Sequence, residues 1–168
     1  ALLDAQKQLD AEGFAGAMVI DYDGIVPDVM NFADLPEELT EFNRFAEAVR
    51  DADKRLQDPT PTLKALLQYF EVRDLQTAIS LAEHLEDYIL NDEISSPKEA
   101  AIADLWMIAG EQAAASLLPY VNLFAYGEEV IRQKEASLTP YGLLESAAYG
   151  PLRLPSQKIE EQEEMTMR

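Results

Sequence analysis

Side chains capable of catalysis or metal binding are scarce in this chain of 168 residues. There is no cysteine, which excludes disulfides, thiolate metal sites and cysteine nucleophiles. The single histidine, His84, lies next to the apolar face of a predicted helix, and the acids near it in sequence are Glu83 and Asp87. These acids do not complete a metal site, so we expect His84 to be a surface or half-buried helix residue. Phosphate-loop, serine-hydrolase and HExxH patterns are absent, and we predict no metal and no cofactor.

A second candidate for chemistry is the segment from Val19 to Val26, where an apolar strand is followed by Asp21, Asp23 and Gly24. It resembles the first motif of the haloacid-dehalogenase phosphatases, which implies a nucleophilic first aspartate and an acid/base second one with magnesium between them. That chemistry also needs a parallel sheet to align further groups, but the helices predicted from Leu35 to Leu85 have no strands between them. We interpret the segment as a strand-ending turn and predict that the chain is not an enzyme.

The net charge is −19, from 32 acidic and 13 basic residues, and it would oppose binding to a phosphate backbone. The excess is spread over the chain: −5 in residues 1–30, −4 in 31–71, −9 in 72–150 and −1 in 151–168. An acidic protein of this kind is suited to a basic protein groove. No apolar run approaches the roughly 20 residues of a membrane span and no signal-peptide pattern opens the chain, so we expect a soluble, cytoplasmic protein.

The first half of the chain is predicted to change from mixed to helical structure. A helix from Leu2 to Glu12 and a strand from Ala17 to Ile20 are expected to open it. A long helix should begin near Leu35, capped by Asp34, with an apolar stripe of Leu35, Leu39, Phe42, Phe45, Ala46, Val49 and Leu56. A second helix from Thr62 to Phe70 completes a helical hairpin. Asp74 is predicted to cap a third helix with Leu75, Ala78, Ile79 and Ala82 inward.

The second half is predicted to combine helices with short strands. Asp87 to Asn91 forms a strand, and Ser96 with Pro97 starts a helix that ends before Gly110, with Trp106 and Met107 in the core. Gln112 to Ser116 is expected to be a link. A short helix beginning at Pro119 should end in a left-handed glycine cap at Gly127. Strands are predicted at Val130–Gln133 and Leu143–Glu145, around a turn at Thr139–Gly142.

The segment from Leu117 to Glu129 carries a family resemblance. Its pattern of Leu118, Tyr120, Val121, Ala125, Tyr126 and Gly127, followed by two polar residues, resembles the C-terminal signature of the ArdA-type antirestriction proteins, which are acidic mimics of DNA. The similarity covers roughly residues 1–148, because the predicted elements follow the family's order and the Thr139–Gly142 turn follows the signature. The chain departs from the family pattern at its amino terminus, at Asn122 and at Glu128.

The resemblance implies an α+β fold built from small modules in an elongated, acidic homodimer. The modules are predicted as a partial α/β module over residues 1–30, a helical-hairpin module over 31–71 and an α/β module over 72–150, with an acidic tail over 151–168. The implied function is antirestriction, associated with mobile genetic elements: the protein would occupy the DNA-binding groove of a restriction–modification enzyme, of type I by analogy, without itself binding nucleic acid or membrane.

Two sets of residues are assigned to this function. The acids expected to imitate DNA phosphates are Glu37, Glu38, Glu41, Glu47, Asp51, Glu83, Glu86, Asp87, Asp92, Glu93, Asp104 and Glu111. The residues expected at or near a self-association contact are Leu118, Tyr120, Val121, Phe124, Ala125, Tyr126 and Gly127, because their apolar content exceeds what a short helix needs. The alternative function is that of an acidic adaptor or assembly protein, which would bind a protein partner through apolar grooves.

Overall fold

The computed structural model describes residue 7 and residues 35–157, with side chains for residue 7 and residues 40–157. The predicted amino-terminal helix, strand and 1–30 module lie outside the described residues, apart from Lys7, and so does the Asp34 cap. The described part is mainly α-helical with a small antiparallel sheet, which confirms the mixed α+β class. The chain divides into two compact units, the first from Ala1 to Leu85 and the second from Glu86 to Arg168.

The described part of the first unit contains three helices. They are α1 (Leu35–Arg55), α2 (Pro59–Tyr69) and α3 (Leu75–Glu83). Helix α3 packs against both α1 and α2. Its contacts place α3 in the same unit as α1 and α2, and this unit ends at Leu85.

The core of the first unit is formed by one face of each helix. In α1 the buried face carries Phe42, Phe45, Ala48 and Ala52, whose spacing of three or four residues follows one side of a helix. Ala46, predicted in this stripe, is exposed, because it lies about 100° around the helix from Phe45 and so falls outside the buried face. Helix α2 begins three residues earlier than predicted and buries Leu63, Leu66 and Leu67, while Phe70 is half-buried.

Helix α3 begins where the sequence indicates. The Asp74 carboxylate accepts a hydrogen bond from the backbone N–H of Thr77 at 2.7 Å, which satisfies one of the free donors of the first turn. Leu75, Ala78, Ile79 and Ala82 are buried as predicted. His84 ends the helix half-buried, with Nδ1 within 2.9 Å of the Ser80 carbonyl oxygen.

The second unit places three helices beside a three-stranded antiparallel sheet. In chain order its elements are β1 (Tyr88–Asn91), α4 (Pro97–Ala109), α5 (Glu111–Leu117), a 3-10 turn (Leu118–Tyr120), α6 (Leu123–Gln133), β2 (Ser137–Thr139) and β3 (Gly142–Ser146). The strand order is β1-β3-β2, with Ile89 opposite Glu145 and Leu138 opposite Leu143. A small apolar cluster lies between the sheet and the helices and is centred on Ile94, Ala100 and Leu143.

The capping signals around α4 and the predicted turn before β3 are confirmed. Ser96 Oγ accepts from the backbone N–H of Glu99 at 3.4 Å, Pro97 takes the first turn, and the helix ends at Ala109 before Gly110. In a capping box the Glu99 carboxylate would accept from the backbone N–H of the N-cap residue Ser96. Here it accepts instead from the backbone N–H and the hydroxyl of Ser95, at 2.7 and 2.8 Å. These bonds, led by the backbone N–H of Ser95, lower the pKa of Glu99.

Two elements between α4 and β3 were predicted wrongly. Residues Gln112 to Ser116 form most of helix α5 and are not a link; three consecutive alanines favour a helix without producing an apolar period. Residues Val130 to Gln133 lie in α6 and are not a strand. Their β-branched side chains favour a strand locally, but in the helix Val130 is buried and Ile131 packs on the apolar cluster. The strand preceding the turn is Ser137–Thr139.

Gly127 does not cap a helix; it lies inside α6. It is buried because α6 crosses α4 at this point: a Cβ added to Gly127 would lie 1.6 Å from the carbonyl oxygen of Pro97. The glycine is therefore required for close packing between two helices and not for a left-handed conformation. The helix ends later, at Gln133 with Lys134 as its C-cap, and Glu135 takes the left-handed position with φ 51°.

The beginning of the predicted tail is packed. Leu152 and Pro155 are buried, and the hydroxyl of Tyr88 donates to the carbonyl oxygen of Arg153 at 2.6 Å. Burial raises the pKa of Tyr88, and the neighbouring Asp87 charge adds to the effect. Residues 151–157 therefore belong to the folded second unit, while residues 158–168 lie outside the described residues.

Candidate functional site

The signature segment separates into an exposed part and an inward-facing part. Tyr120, in the 3-10 turn, is 87% exposed, and Phe124, in the first turn of α6, is 50% exposed. Leu118 and Val121 are half-buried, and Ala125 is exposed. The exposed aromatic side chains contribute little to the core of their own unit, so they are available for an intermolecular contact.

The inward-facing part of the signature joins α6 to α4. Asn122 caps α6 by accepting from the backbone N–H of Ala125 at 3.3 Å. The half-buried Tyr126 donates its hydroxyl to the carboxylate of Asp104 at 2.5 Å, and this hydrogen bond is the main cause that raises the pKa of Tyr126. The Tyr126–Asp104 hydrogen bond and the close approach at Gly127 fix the first turns of α6 against α4. Tyr126 and Gly127 therefore have a structural role within the chain.

The predicted mimic acids of the first unit lie among basic side chains. Residues 40–85 hold eight acidic and six basic residues, a net charge of −2. Asp51 accepts from Lys54 at 2.7 Å, which lowers the pKa of Asp51, and Glu83 accepts from Arg44 at 3.3 Å. Exposed pairs of this kind contribute little to stability because solvent screens them, but they reduce the negative potential of the surface.

The remaining first-unit acids differ in their surroundings. The side chain of Gln76 donates to the half-buried Glu41 carboxylate. Glu47 is exposed and lines an open cleft of about 560 Å³ together with Arg44, Ala48, Asp51, Lys54, Arg55 and Glu83. Three of these seven side chains are cationic, so the cleft has mixed charge. The side chains of Glu37 and Glu38 lie outside the described residues.

Most of the described negative charge belongs to the second unit. Residues 86–157 hold eleven acidic and four basic residues, a net charge of −7. Of the predicted acids, four are exposed and two are half-buried: Glu86, Asp92, Glu93 and Glu111, and then Asp87 and Asp104. Arg132 forms an ion pair with Glu129 at 2.6 Å, and Lys134 forms one with Glu145 at 3.1 Å. The prediction from sequence did not include Glu99, Glu128, Glu129, Glu135 or Glu145, all of which add to the acidic composition of this unit.

A row of exposed apolar side chains at the end of α4 contradicts the sequence prediction. Trp106 and Met107 were assigned to the core, but they are 50% and 69% exposed, and Ile108 beside them is 65% exposed. The apolar residues of α4 are distributed around the whole helix, which is the pattern of a helix buried on all sides. Within the second unit only Ala100, Ala101 and Leu105 of α4 are buried, so this helix presents more apolar surface than its own unit covers.

The described residues contain neither a buried polar or charged side chain nor a group of three His, Cys, Asp or Glu residues that could hold a metal ion. His84 belongs to the first-unit helix α3 and is hydrogen-bonded to its own helix. The Asp21–Asp23 motif lies outside the described residues. Between residues 35 and 157, no helix has the length and apolar character needed to cross a membrane.

The arrangement is therefore a set of surfaces: an acidic second unit, an exposed aromatic pair in the signature and an apolar end of α4. Residues of the first two surfaces were named from the sequence as candidates, whereas the third was missed, although Trp106, Met107 and Ile108 follow one another directly before Gly110. Comparison with models of protein families and with curated proteins found no match.

Proposed function

We propose that the protein is an acidic DNA mimic of the antirestriction type, which occupies the DNA-binding groove of a restriction–modification enzyme, a type I enzyme by analogy. The observation that supports this proposal is the net charge of −7 over residues 86–157, which hold eleven acidic and four basic residues. Duplex DNA carries about one negative charge per 1.7 Å of axis. A protein rich in exposed carboxylates can bind the same Lys- and Arg-lined groove with similar salt dependence.

The distribution of charge supports the second unit as the binding face. The first unit offers a surface of nearly balanced charge over residues 40–85, whereas the exposed acids of the second unit lie before β1, after β1 and at the start of α5. The second unit should therefore contribute more of the binding free energy than the acids of α1. The elongated dimer implied by the family resemblance is part of the proposal and is open to small-angle X-ray scattering.

The experiment compares two sets of four charge neutralisations of equal size. The first set replaces Glu86, Asp92, Glu93 and Glu111 by their amides, and the control set does the same to Glu47, Asp51, Asp53 and Glu83, which are also exposed. At about 0.5 kcal/mol per exposed charge, four neutralisations should weaken inhibition about thirtyfold. The assay measures DNA binding by a type I restriction enzyme as a function of inhibitor and salt concentration.

The expected result is a large loss for the second-unit set, a small loss for the control set, and weaker inhibition at higher salt. Equal losses for both sets would mean that total charge matters and that the second unit is not the binding face. Inhibition insensitive to salt and to both sets would reject mimicry and favour the adaptor function.

Self-association through the signature is the second part of the proposal. Tyr120 and Phe124 are its exposed aromatic side chains, so Phe124→Ser should dissociate the dimer. The control is Trp106→Ser, because Trp106 is an equally exposed aromatic residue outside the signature; this variant should leave the dimer intact. Tyr126 is a poorer choice for this test because it bonds to Asp104 within the chain. Sedimentation at micromolar concentration decides: a monomeric wild-type protein would contradict this part.

A further inference from the structure

The second unit contains an apolar groove that the mimic function does not use. It lies between the face of the sheet that carries Ile89 and Leu143 and the facing sides of α4 and α6, and its volume is about 200 Å³. Alanine side chains of α4, Ala100 and Ala103, line it on the helix side and leave space where larger residues would fill it. Val130 closes it from α6.

Two large apolar side chains on the groove are left exposed to solvent. Ile89 on β1 is 51% exposed, and Met107 on α4 also lies largely outside the core. Single exposed apolar residues are ordinary. An exposed pair on a concave apolar surface is different, because it offers a partner both a cavity and contact area around it.

The size of the groove restricts what it can hold. Small-molecule sites usually occupy about 300–1,000 Å³, and this groove is smaller and open. It has room for one large aliphatic or aromatic side chain, with part of a second. A protruding side chain of a protein segment therefore fits it better than a cofactor or metabolite does.

The charges around the groove select the sign of that segment. Its lining includes the carboxylates of Asp104 and Glu145 and one cation, Lys134, which is paired with Glu145 at 3.1 Å. Along the chain, β1 is preceded by Glu86 and Asp87 and followed by Asp92 and Glu93. A field of this sign attracts a basic segment and repels an acidic one.

From these observations we propose that the groove is a docking site for a basic protein segment that inserts a large apolar side chain against Ile89 and Met107. The apolar side chain supplies contact area in the groove, and neighbouring Lys or Arg residues of the segment meet the acids around it. The inference does not depend on DNA mimicry, and its test contains neither DNA nor a restriction enzyme, so either proposal can fail without the other.

The test uses a fluorescently labelled amphipathic peptide of leucine and lysine, about 14 residues long, and measures its binding to the full chain by anisotropy. Two matched peptides replace every leucine by alanine or every lysine by glutamate. Met107→Ser and Ile89→Ser alter the groove from two different elements. Ile108→Ser is the control, because Ile108 adjoins Met107 in the chain and is similarly exposed but does not line the groove.

The expected result is that each groove variant weakens binding of the leucine–lysine peptide at least about fivefold, while Ile108→Ser changes it less than twofold. The alanine–lysine and leucine–glutamate peptides should bind more weakly than the leucine–lysine peptide. Circular dichroism melting checks that the variants remain folded, and Ile89→Ser serves as the second test if Met107→Ser does not fold.

Three outcomes would overturn the proposal. Equal binding of the alanine–lysine peptide would show that charge alone attracts the segment. Equal effects of Ile108→Ser and Met107→Ser would show diffuse apolar adhesion. Dissociation of a wild-type dimer by Met107→Ser, measured by sedimentation, would show that a second copy of the chain occupies the groove.

Discussion

Replacement of Gly127 by alanine tests the closest contact in the second unit. Gly127 lies in α6, and the added Cβ would lie 1.6 Å from the carbonyl oxygen of Pro97, 2.4 Å from its carbonyl carbon and 3.0 Å from its Cα. All three atoms belong to the backbone at the start of α4. No side-chain rotation can relieve the overlap, so α4 and α6 must separate.

The magnitude follows from two opposing effects. Alanine in place of a helical glycine stabilises an unstrained helix by about 1 kcal/mol. A carbon needs about 3.3 Å from a carbonyl oxygen, so the two helices would have to move apart by about 1.7 Å. Overpacking of this kind costs about 1–3 kcal/mol and sometimes more, and here it disturbs the most extensive helix–helix contact of the unit. The cost should exceed the gain, with a net loss of about 2 kcal/mol.

Chemical and thermal denaturation followed by circular dichroism measures this loss. A net loss of about 2 kcal/mol corresponds to a melting temperature lower by about 8–16 °C for a unit of this size. The matched control is Ala125→Gly, an exposed position in the same helix, which should cost about 0.5–1 kcal/mol through helix propensity alone. Gly→Ala at position 127 and Ala→Gly at position 125 of the same helix should therefore both destabilise the protein. If Gly127→Ala were as stable as the wild type or more stable, the close approach of α4 and α6 would be wrong.

Three further substitutions test two hydrogen-bonded side chains and one backbone conformation. Tyr126→Phe removes the hydroxyl bonded to Asp104 and should lower the free energy of unfolding by about 1 kcal/mol. A double-mutant cycle with Asp104→Asn measures the coupling energy between the two residues. A coupling energy of zero would contradict the hydrogen bond. Because that bond raises the pKa of Tyr126, its stabilisation should be present below the unfolded pKa of about 10 and should disappear as the pH rises through the folded value. Glu99→Gln should make stability less sensitive to acid, because the bonds from Ser95 lower the pKa of Glu99. The stabilisation from these bonds is present above the unfolded pKa of Glu99 and is lost as the pH falls through the folded pKa. If the slope of melting temperature against pH between about pH 5 and 3 were the same in the variant, these bonds would not contribute. Glu135→Gly should raise the urea midpoint by an amount equivalent to about 1 kcal/mol, because glycine adopts the φ of 51° without strain, and a lower midpoint would contradict this.

Features fixed by adjacent residues were predictable from the sequence. The caps at Asp74 and Ser96 and the helix end before Gly110 depend on side-chain oxygens, a missing backbone donor or a missing Cβ within a few residues. The turn at Thr139–Gly142 is local in the same sense: Thr139 Oγ1 donates to the Gly142 carbonyl oxygen at 2.9 Å. These signals act before any tertiary contact is made.

Features decided by distant residues were not predictable in the same way. Gly127 has the sequence context of a helix cap, but it lies inside α6, where the approach of Pro97, thirty residues earlier, leaves no room for a Cβ. Trp106 is a large apolar residue of the kind that usually lies in a core, yet the helices beside it leave it exposed.

The candidate site shows the same division. The sign of the surface charge was readable from composition, and the Asp51–Lys54 pair could have been read from its spacing of three residues. The Arg44–Glu83 pair joins residues 39 apart in sequence, so the near-neutral charge pattern of the first-unit cleft required the fold. The groove beside Ile89 likewise depends on the packing of a sheet against two helices.

The negative charge of the second unit opposes self-association, whereas its exposed apolar side chains favour it. Two copies of this chain that meet through Phe124 would each bring a unit of net charge −7 over residues 86–157, so Coulomb repulsion opposes the apolar contact. Added salt screens that repulsion, and self-association should strengthen between about 50 and 300 mM salt. A basic partner is attracted by the same field, so its binding should weaken over the same range. The response to salt therefore separates the two kinds of contact on one surface: a homodimer that dissociates with rising salt would mean that attraction between charges, and not the exposed aromatic side chains, holds the copies together.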